Sequence, residues 1–402
     1  MKKMNPLFRS INMRLPIVQA PMAGACSPEL VAAVSNAGGL GSLAGSLLTP
    51  EHIVHTADSI RKSLKAQNLP FSINLFVQHS DSTPKSSDVT SEMSSAVSKL
   101  LKPFYDDLKI DPPQNAVPAN LAQCFEDQLD AIIAVRPSVA SFAFGIPTAA
   151  QIQKLQKDGI LVCGTATTVQ EAVAWKNVGA DMICAQGGEA GGHRGSFLHA
   201  TSVSQSPSSA GRVVPQNVHH ALIGTMALVP QVVDAAEGIP VIAAGGISDG
   251  RGIAAALCLG ASAAQIGTAF LGCAELESVL PAVWRQAFED SARHAEDHTR
   301  VTRAFSGRFA RGFQNTYMRE LDSVDPALIP DYPIMNALTS HLRQQSARHG
   351  RSDFTSLWAG QGAPSASVKY SRSMRAGDIV SLMESSLRTV LQHALSPQRP
   401  EP

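Results

Sequence analysis

The 402-residue chain has no excess of charge of either sign, because 33 Lys and Arg residues balance 33 Asp and Glu residues. A neutral chain offers no extended positive field to nucleic acid or to an anionic membrane surface, so we expect neither partner. The sequence also lacks an uncharged apolar run of about 18 residues, which argues against a transmembrane helix. With 44% hydrophobic residues, it is too apolar to be mostly disordered.

Cysteine is scarce, and its spacing excludes two kinds of site. None of the six cysteines forms a CxxC pair, so the sequence predicts neither a zinc site nor a redox dithiol. No cluster of His, Asp and Glu has metal-ligand spacing, and we predict no metal. Small buried thiols in a reducing compartment fit this pattern. Residues 1–14 lack the apolar core of a secretory signal, so we expect a cytoplasmic protein.

Eight short apolar runs recur along the chain, and each is followed by a helical pattern. They span residues 17–22, 39–44, 71–77, 138–144, 159–164, 181–186, 239–244 and 263–270. Their hydrophobicity is continuous and does not alternate, which is typical of parallel strands buried on both faces. Helix starts such as Ser27-Pro28-Glu29 and Ser248-Asp249 lie between them. This α/β alternation predicts a (β/α)8 TIM barrel.

Three stretches do not fit the barrel repeat. Residues 78–117 are rich in Ser, Asp, Lys and Pro and are predicted to be a polar insertion, and residues 195–218 form a second insertion. Residues 273–371 are predicted to be a mostly helical insertion after strand eight, a cap or substrate domain. The barrel then comprises residues 1–272 and is completed by an amphipathic helix in 372–396. All three insertions follow strands, so they lie at the C-terminal face, where barrel active sites are built.

Two glycine-containing motifs end the last two predicted strands. Gly245 and Gly246 end strand seven, where a helix begins. The segment within or ending strand eight comprises Gln265, Ile266, Gly267 and Thr268. Glycine lets the backbone approach an anion, and exposed amides at a helix N-terminus provide the binding field. Together the motifs predict a site for a phosphate-bearing ligand, with two ordinary tight turns as the alternative.

A third motif, QGGEAGGHRG, follows predicted strand six. Its glycines, Gly191 among them, let the loop pass close over a flat ligand, and the amide of Gln186 suits the edge of a heterocycle. His193 can exchange a proton near neutral pH, so we expect it to be functional; the alternative is a surface histidine on a flexible loop. For Arg194 the sequence is equally consistent with a functional charge at the site and with a charge exposed to solvent.

Two further positions lie at strand ends on the same face. Pro21 cannot donate to a strand ladder, so strand one should stop there and leave the backbone from Ala20 to Gly24 free for a ligand. A simple strand terminus would explain the same residues. Asn74 lies in a largely apolar strand and, if buried, needs hydrogen-bond partners. It therefore faces either a ligand or a neighbouring backbone.

These motifs resemble those of the class I nitronate monooxygenases, the family once called 2-nitropropane dioxygenases. The matching segments are LPIVQAPMAG, GGLGSLAG, FSINLF, AQGGEAGGHRGSF, GTMALVPQVVDA, IPVIAAGGISDGRG, LGASAAQIGTAFL, FSGRFARG, YPIMNALT and SLWAGQG. They extend from residue 15 to residue 362, so the resemblance covers nearly the whole chain.

The resemblance implies FMN, bound non-covalently over the barrel mouth. It assigns the FMN contacts to Asn74, Gln186, Gly191, Gly245, Gly246, Gln265, Ile266, Gly267 and Thr268, with Ala20, Pro21, Met22 and Ala23 lining the flavin ring. It makes His193 the active-site histidine. Tyr332 lies in a segment that resembles one supplying an active-site tyrosine.

The implied reaction is the oxidative denitrification of alkyl nitronates such as propionate 3-nitronate. The nitronate and O2 are the small-molecule partners, and a carbonyl compound and nitrite are released through a flavin semiquinone. His193 could donate a hydrogen bond to a nitro oxygen when protonated, or take the α-proton of a nitroalkane when neutral. The sequence leaves both roles open, as it does the preferred nitronate and the oligomeric state.

Three alternatives compete with this interpretation. An FMN-dependent NAD(P)H oxidoreductase, of the enoyl-acyl-carrier reductase or quinone reductase type, resembles the chain in the same glycine and histidine motifs. An IMP-dehydrogenase-like enzyme would need a nucleophilic Cys after strand six, and residues 187–218 contain none. A flavin-binding protein without activity is disfavoured by the intact loop around His193.

Overall fold

A computed structural model of the chain describes residues 4–79, 83–113, 117–198, 222–293, 298–370 and 374–395. The strands among them are β1 (Ile17–Gln19), β2 (Gly41–Ala44), β3 (Phe71–Phe76), β4 (Val139–Ala143), β5 (Leu161–Ala166), β6 (Met182–Gln186), β7 (Gly192–His193), β8 (Val241–Ala244), β9 (Ala263–Ile266), β10 (Thr299–Thr302) and β11 (Ala310–Phe313). Two sheets result. One is parallel, in the order β1-β9-β8-β6-β5-β4-β3-β2, and the other is antiparallel, in the order β10-β11-β7.

Helices alternate with the strands of the parallel sheet. The helices in the described ranges are α1 (Pro6–Ser10), α2 (Pro28–Ala37), α3 (Pro50–Ser63), α4 (Ser91–Leu108), α5 (Phe125–Val135), α6 (Ala149–Lys157), α7 (Val169–Asn177), α8 (Thr225–Ala235), α9 (Gly250–Cys258), α10 (Ala282–Asp290), α11 (Thr316–Leu321), α12 (Ile334–Leu338), α13 (Ser340–Arg348), α14 (Ala363–Lys369) and α15 (Ala376–Leu395). Helices α2, α3, α5, α6, α7, α8, α9 and α15 each complete one strand–helix repeat. Helix α15 packs against α2 and α9 and supplies the eighth.

The parallel sheet closes on itself between β1 and β2. The Leu40 N–H donates to the Ile17 carbonyl at 3.0 Å, and the Gln19 N–H donates to the Leu40 carbonyl at 2.9 Å. The predicted TIM barrel is therefore confirmed. Most strands are shorter than the predicted runs, and the largest difference is at β9, which ends at Ile266 and is followed by a 3-10 turn over Thr268–Phe270.

The predicted helix starts are also found. The Ser27 hydroxyl accepts the Leu30 N–H at 3.0 Å and opens α2, which ends at Gly38 with a φ of 104°. The Asp249 carboxylate accepts the Arg251 N–H at 2.9 Å and opens α9 immediately after the Gly245-Gly246 turn. Local capping chemistry thus sets where these barrel helices begin.

The insertion at residues 78–117 differs from the polar segment that its composition predicts. It contains the 18-residue helix α4, whose buried face includes Val97, Leu101 and Phe104. That face packs in a second apolar cluster, here called the cap core, which also contains Phe305, Tyr317, Leu321, Ile334, Met335, Leu338, Leu342 and Phe354. The apolar residues of α4 recur at helical spacing among Ser, Lys and Asp, so average composition conceals them.

The region after β9 is mostly helical in its described part, with α10 to α14 and the short strands β10 and β11. Strand β11 pairs with β7, so this region is joined by hydrogen bonds to the loop that follows β6. The predicted insertion at residues 195–218 lies mostly outside the described residues. In the described ranges, no helix is long and apolar enough to cross a membrane.

Candidate active site

A cavity of about 880 Å³ lies over the C-terminal ends of the barrel strands. One side is formed by residues that end or follow barrel strands, among them Ala20, Asn74 and Gln186. The other side comes from the region after β9 and includes Tyr332 and Trp358. A narrower cleft of about 60 Å³ adjoins the cavity and shares several of its lining residues. The barrel and the helical region therefore enclose one site between them.

Nearly all predicted site residues line this site. The cleft is lined by Ala20, Gln186, Gly191, Gly245, Gly246, Gln265, Gly267 and Thr268. The cavity is lined by Ala20, Pro21, Met22, Ala23, Asn74, Gln186, Gly191, His193, Gln265, Thr268 and Tyr332. Ile266 lines neither; its side chain is fully buried in the barrel, and its carbonyl accepts the Ala20 N–H at 2.8 Å. The contacts of these residues with FMN stay predictions.

The cleft is built from main chain, since glycines from three loops meet there. A Cβ on Gly191 would lie 2.5 Å from the Gly360 nitrogen, and a Cβ on Gly360 would lie 2.7 Å from the Glu189 carbonyl oxygen. Gly246 has a φ of +70°, in the left-handed region that favours glycine. Gly360 and Gly362 also line the cleft and were not among the predicted site residues. Both glycines belong to SLWAGQG, one of the segments that resemble the family, so that match could have identified them.

The cleft has the features of a site for a phosphate group. Within the described part of the chain, no acceptor is found for the amide groups of Gly246 and Gly267. The described residues that line the cleft include no Asp or Glu. Glu189 lies nearby, but its carboxylate accepts the Thr225 N–H at 2.9 Å and the Thr225 hydroxyl at 2.8 Å. Unpaired amides without an opposing carboxylate are what an anion site requires.

The loop after β6 is fixed on both sides of His193. In the short antiparallel sheet, His193 of β7 pairs with Ala310 of β11. The Gln186 Nε2 donates to the His193 carbonyl at 3.0 Å, and the Gly195 N–H donates to the Gln186 Oε1 at 2.8 Å. The Gln186 amide thus braces the loop, and its spare hydrogen and lone pair remain for a ligand. The alternative of a surface histidine on a flexible loop is wrong.

Arg194 is not a solvated charge. Its side chain is 1% exposed, and it donates to the carbonyls of Gly187 at 2.6 Å and Gln186 at 2.9 Å. Burial lowers the pKa of its guanidinium to about 10, so it remains charged at neutral pH. These bonds tie the end of β6 to the loop that carries His193, so Arg194 acts as a brace.

The hydrogen bonds of Ser306 determine how the His193 ring is protonated. The His193 Nε2 lies 2.8 Å from the Ser306 Oγ, and that hydroxyl also lies 3.1 Å from the Arg308 carbonyl oxygen. A hydroxyl has one hydrogen, so donation to the carbonyl leaves Ser306 to accept from an Nε2–H. In that tautomer the free lone pair is on Nδ1, and Nδ1 is then the ring nitrogen that can accept a proton.

The pKa of His193 is lowered to about 3. Desolvation by the surrounding protein is the main cause, and the positive charges of Arg308 and Arg343 lower the pKa further. The guanidinium of Arg308 lies over the Phe144 ring, 3.8 Å from its centroid. The imidazole is therefore neutral near pH 7. Of the two roles that the sequence left open, this electrostatic setting favours the proton acceptor in the free protein.

Aromatic side chains surround the His193 ring. The ring centroids of Phe76, Phe144, Tyr332 and Trp358 lie 6.1, 5.7, 6.0 and 5.5 Å from that of His193. Burial raises the pKa of Tyr332 to about 12, so its phenol keeps its proton. Six residues of this site were not predicted from the sequence: Phe76, Phe144, Trp358, Ser306, Arg308 and Arg343. All but Phe144 lie in the matched segments FSINLF, FSGRFARG and SLWAGQG or beside YPIMNALT.

The comparisons with known proteins agree with this geometry. A family model described as nitronate monooxygenase matches residues 5–380. The chain belongs to the nitronate monooxygenase family. A probable nitronate monooxygenase of Staphylococcus saprophyticus is 39% identical over 351 residues, which covers 87% of this chain and 90% of the relative. One from Staphylococcus aureus is 38% identical over 389 residues, covering 97% and 99%.

Solved structures show the same architecture. The nitroalkane oxidase from Streptomyces ansochromogenes has 33% sequence identity and a TM-score of 0.77, and the match covers 96% of this chain and 99% of that one. FabK from Thermotoga maritima has 23% identity and a TM-score of 0.66 over 96% and 97% of the chains, a likeness in fold alone. Membership of the nitronate monooxygenase family confirms the predicted enzyme class, a flavin-dependent oxidoreductase.

Proposed function

We propose that this chain binds FMN non-covalently and uses O2 to convert alkyl nitronates, with propionate 3-nitronate as the example, into carbonyl compounds and nitrite. One observation carries the proposal. A neutral, partly buried His193 lines a cavity that continues into an amide-lined cleft, and the described residues of that cleft include no carboxylate. The cavity accommodates a small organic anion beside a flat cofactor, and the cleft suits the cofactor's phosphate.

The residues that would hold FMN divide into two groups. Gly246, Gly267 and Thr268 would bind the phosphate through main-chain amides, in the cleft that Gly191 keeps open. Asn74, Gln186 and the segment 20–23 would lie along the flavin ring. When bound, FMN supplies single-electron transfer between a nitronate and O2, chemistry that no amino-acid side chain provides.

The chain's own residues would orient the substrate and control its proton. The positive charges of Arg308 and Arg343 favour an anionic nitronate near His193. With a neutral nitroalkane, the free Nδ1 of His193 would take the α-proton. The rings of Phe76, Phe144 and Trp358 lie around the imidazole and would limit the access of water to it. We also propose that residues 273–371 act as the substrate domain, because Tyr332, Arg343 and Trp358 all come from it.

Product analysis tests this function. FMN-loaded protein is mixed with propionate 3-nitronate in air, and nitrite and oxygen consumption are measured. We expect catalytic nitrite release, and no stimulation by NADH or NADPH. Absence of nitrite together with rapid NADH or NADPH oxidation would instead establish the reductase alternative. The His193→Asn variant is assayed in parallel with a neutral nitroalkane, whose α-proton His193 would remove, to link the product to this site.

A further inference from the structure

Helix α13 presents a polar and basic stripe to the cavity. The side chains of this stripe are Ser340, Arg343, Gln344, Ala347 and Arg348. Their spacing of three and four residues places them on one face of a helix. The opposite face includes Leu342, which is fully buried in the cap core. The packing of α13 therefore fixes which of its residues meet a bound substrate.

Arg343 is a partly buried cation that has no anionic partner among the described residues. Its Nη2 donates to the Asn336 carbonyl at 2.7 Å and to the Asn336 Oδ1 at 3.0 Å. Its Nη1 makes only a long contact of 3.5 Å with the Ser356 hydroxyl. Its Nε is sealed from solvent and has no hydrogen-bond partner in the described part of the chain. All of these acceptors are neutral, so the charge itself is not compensated.

The described residues of the cavity around Arg343 carry no negative charge. Among the described residues that line the cavity there is no Asp or Glu, whereas Arg343 and Arg348 both line it. Desolvation lowers the pKa of Arg343 to about 10, and the guanidinium still carries its charge at neutral pH. A desolvated cation that lacks an anion is costly for a folded protein. Such a site gains free energy when a ligand brings the missing charge.

We propose that Arg343 binds a carboxylate at the far end of the substrate, so that it selects nitronates that carry a second anionic group. This inference rests on the proposed function and names the residue that sets its specificity. In this arrangement the nitronate end would lie beside His193, because His193 and Arg343 line the same cavity. A substrate with an uncharged tail would leave the guanidinium unpaired.

The test compares two substrates in one set of variants. Propionate 3-nitronate carries the carboxylate, and butyl-1-nitronate has an uncharged tail of similar length. For Arg343→Gln we expect the KM for propionate 3-nitronate to rise about 10- to 100-fold with little change in kcat, as expected for a lost charge-assisted hydrogen bond. The kcat/KM for butyl-1-nitronate should stay within about threefold. Arg343→Lys should restore part of the affinity, because the charge is kept and the planar fork is lost.

The matched control is Arg319→Gln, an exposed arginine of the same helical region whose Nη2 donates to the Thr316 hydroxyl at 3.1 Å. It should leave both substrates unaffected. Equal losses on both substrates in Arg343→Gln would show a structural role and overturn the proposal, as would an unchanged KM for propionate 3-nitronate. If the wild type released nitrite from both nitronates without preference, the role of Arg343 would be refuted and the proposed function would stand. No nitrite from either would refute the proposed function with it.

Discussion

At the scale of single residues, the chemistry of His193 depends on groups that are distant in sequence. Ser306 hydrogen-bonds the ring at Nε2, and the charges of Arg308 and Arg343 oppose a second proton. The folded-state pKa of about 3 lies below the ordinary value of 6.5, so the neutral form persists as the pH falls through the range where a solvated histidine would titrate. The sequence singled out His193 as the candidate active-site histidine. The protonation state of His193, however, depends on three residues of the helical region that follows β9.

The first prediction concerns His193→Asn. We expect kcat/KM for a neutral nitroalkane such as nitroethane to fall by about 100-fold or more, because a general base is lost, while the kcat/KM for ethyl nitronate falls far less. In the wild type, the pH profile for nitroethane should show no histidine ionisation between about pH 5 and pH 8. An inflection near pH 6 to 7 that disappears in the variant would contradict the low pKa.

The second prediction concerns Ser306→Ala. Without the hydroxyl, the imidazole can adopt either tautomer and loses its orientation, so kcat for nitroethane should fall about tenfold. The kcat for ethyl nitronate should change little, since no proton is removed from it. Stopped-flow reduction of the flavin measures both rates, with the exposed Ser323→Ala as control. Equal slowing of both substrates would show that Ser306 acts on something other than the proton acceptor.

At the scale of elements, the site depends on loops whose backbones are in direct contact. It also depends on helix α4, which the composition of its segment did not reveal. The β6 loop, the turn after β8 and the segment around Gly360 leave no room for side chains. The glycine motifs of the first two could be predicted because strand ends are visible in sequence. The third could not be placed, because nothing local in SLWAGQG shows which barrel strand it approaches. Helix α4 was hidden by its many serines and lysines.

The third prediction concerns Gly191→Ala. Its Cβ would lie 2.5 Å from the Gly360 nitrogen, so the two loops must separate. We expect FMN affinity to fall about tenfold or more while the far-ultraviolet circular dichroism spectrum is unchanged. Titration of the apoprotein by flavin fluorescence provides the dissociation constant. Gly377→Ala in α15, where the Cβ meets only Ala33 O at 3.8 Å, is the control. Unaltered FMN affinity in Gly191→Ala would rule out a cofactor role for the cleft.

The fourth prediction concerns Leu101→Ala in α4. This side chain is 3% exposed in the cap core, so its truncation should destabilise the protein by about 2–5 kcal/mol. Lys99→Ala, on the exposed side of the same helix, should cost less than about 0.5 kcal/mol. Urea unfolding followed by circular dichroism measures both. A Leu101→Ala variant as stable as wild type would show that α4 does not belong to a packed core.

At the scale of the whole molecule, continuous apolar runs made the barrel predictable, because buried parallel strands leave that pattern in any sequence. The eighth barrel helix, α15, was predictable from its amphipathic pattern even though about a hundred residues separate it from β9. The wall opposite the barrel was not predictable. Arg343, Ser306 and Trp358 reach the site only through the packing of the cap core and the pairing of β11 with β7.

The central claim is that FMN bound over this barrel accepts electrons from a nitronate held beside His193. The most direct measurement is the visible spectrum of FMN-loaded protein mixed with propionate 3-nitronate in the absence of oxygen. We expect rapid loss of the oxidised flavin band and its return when air is admitted, with nitrite formed. A spectrum that stays unchanged with the nitronate, or an apoprotein that takes up no FMN, would contradict it.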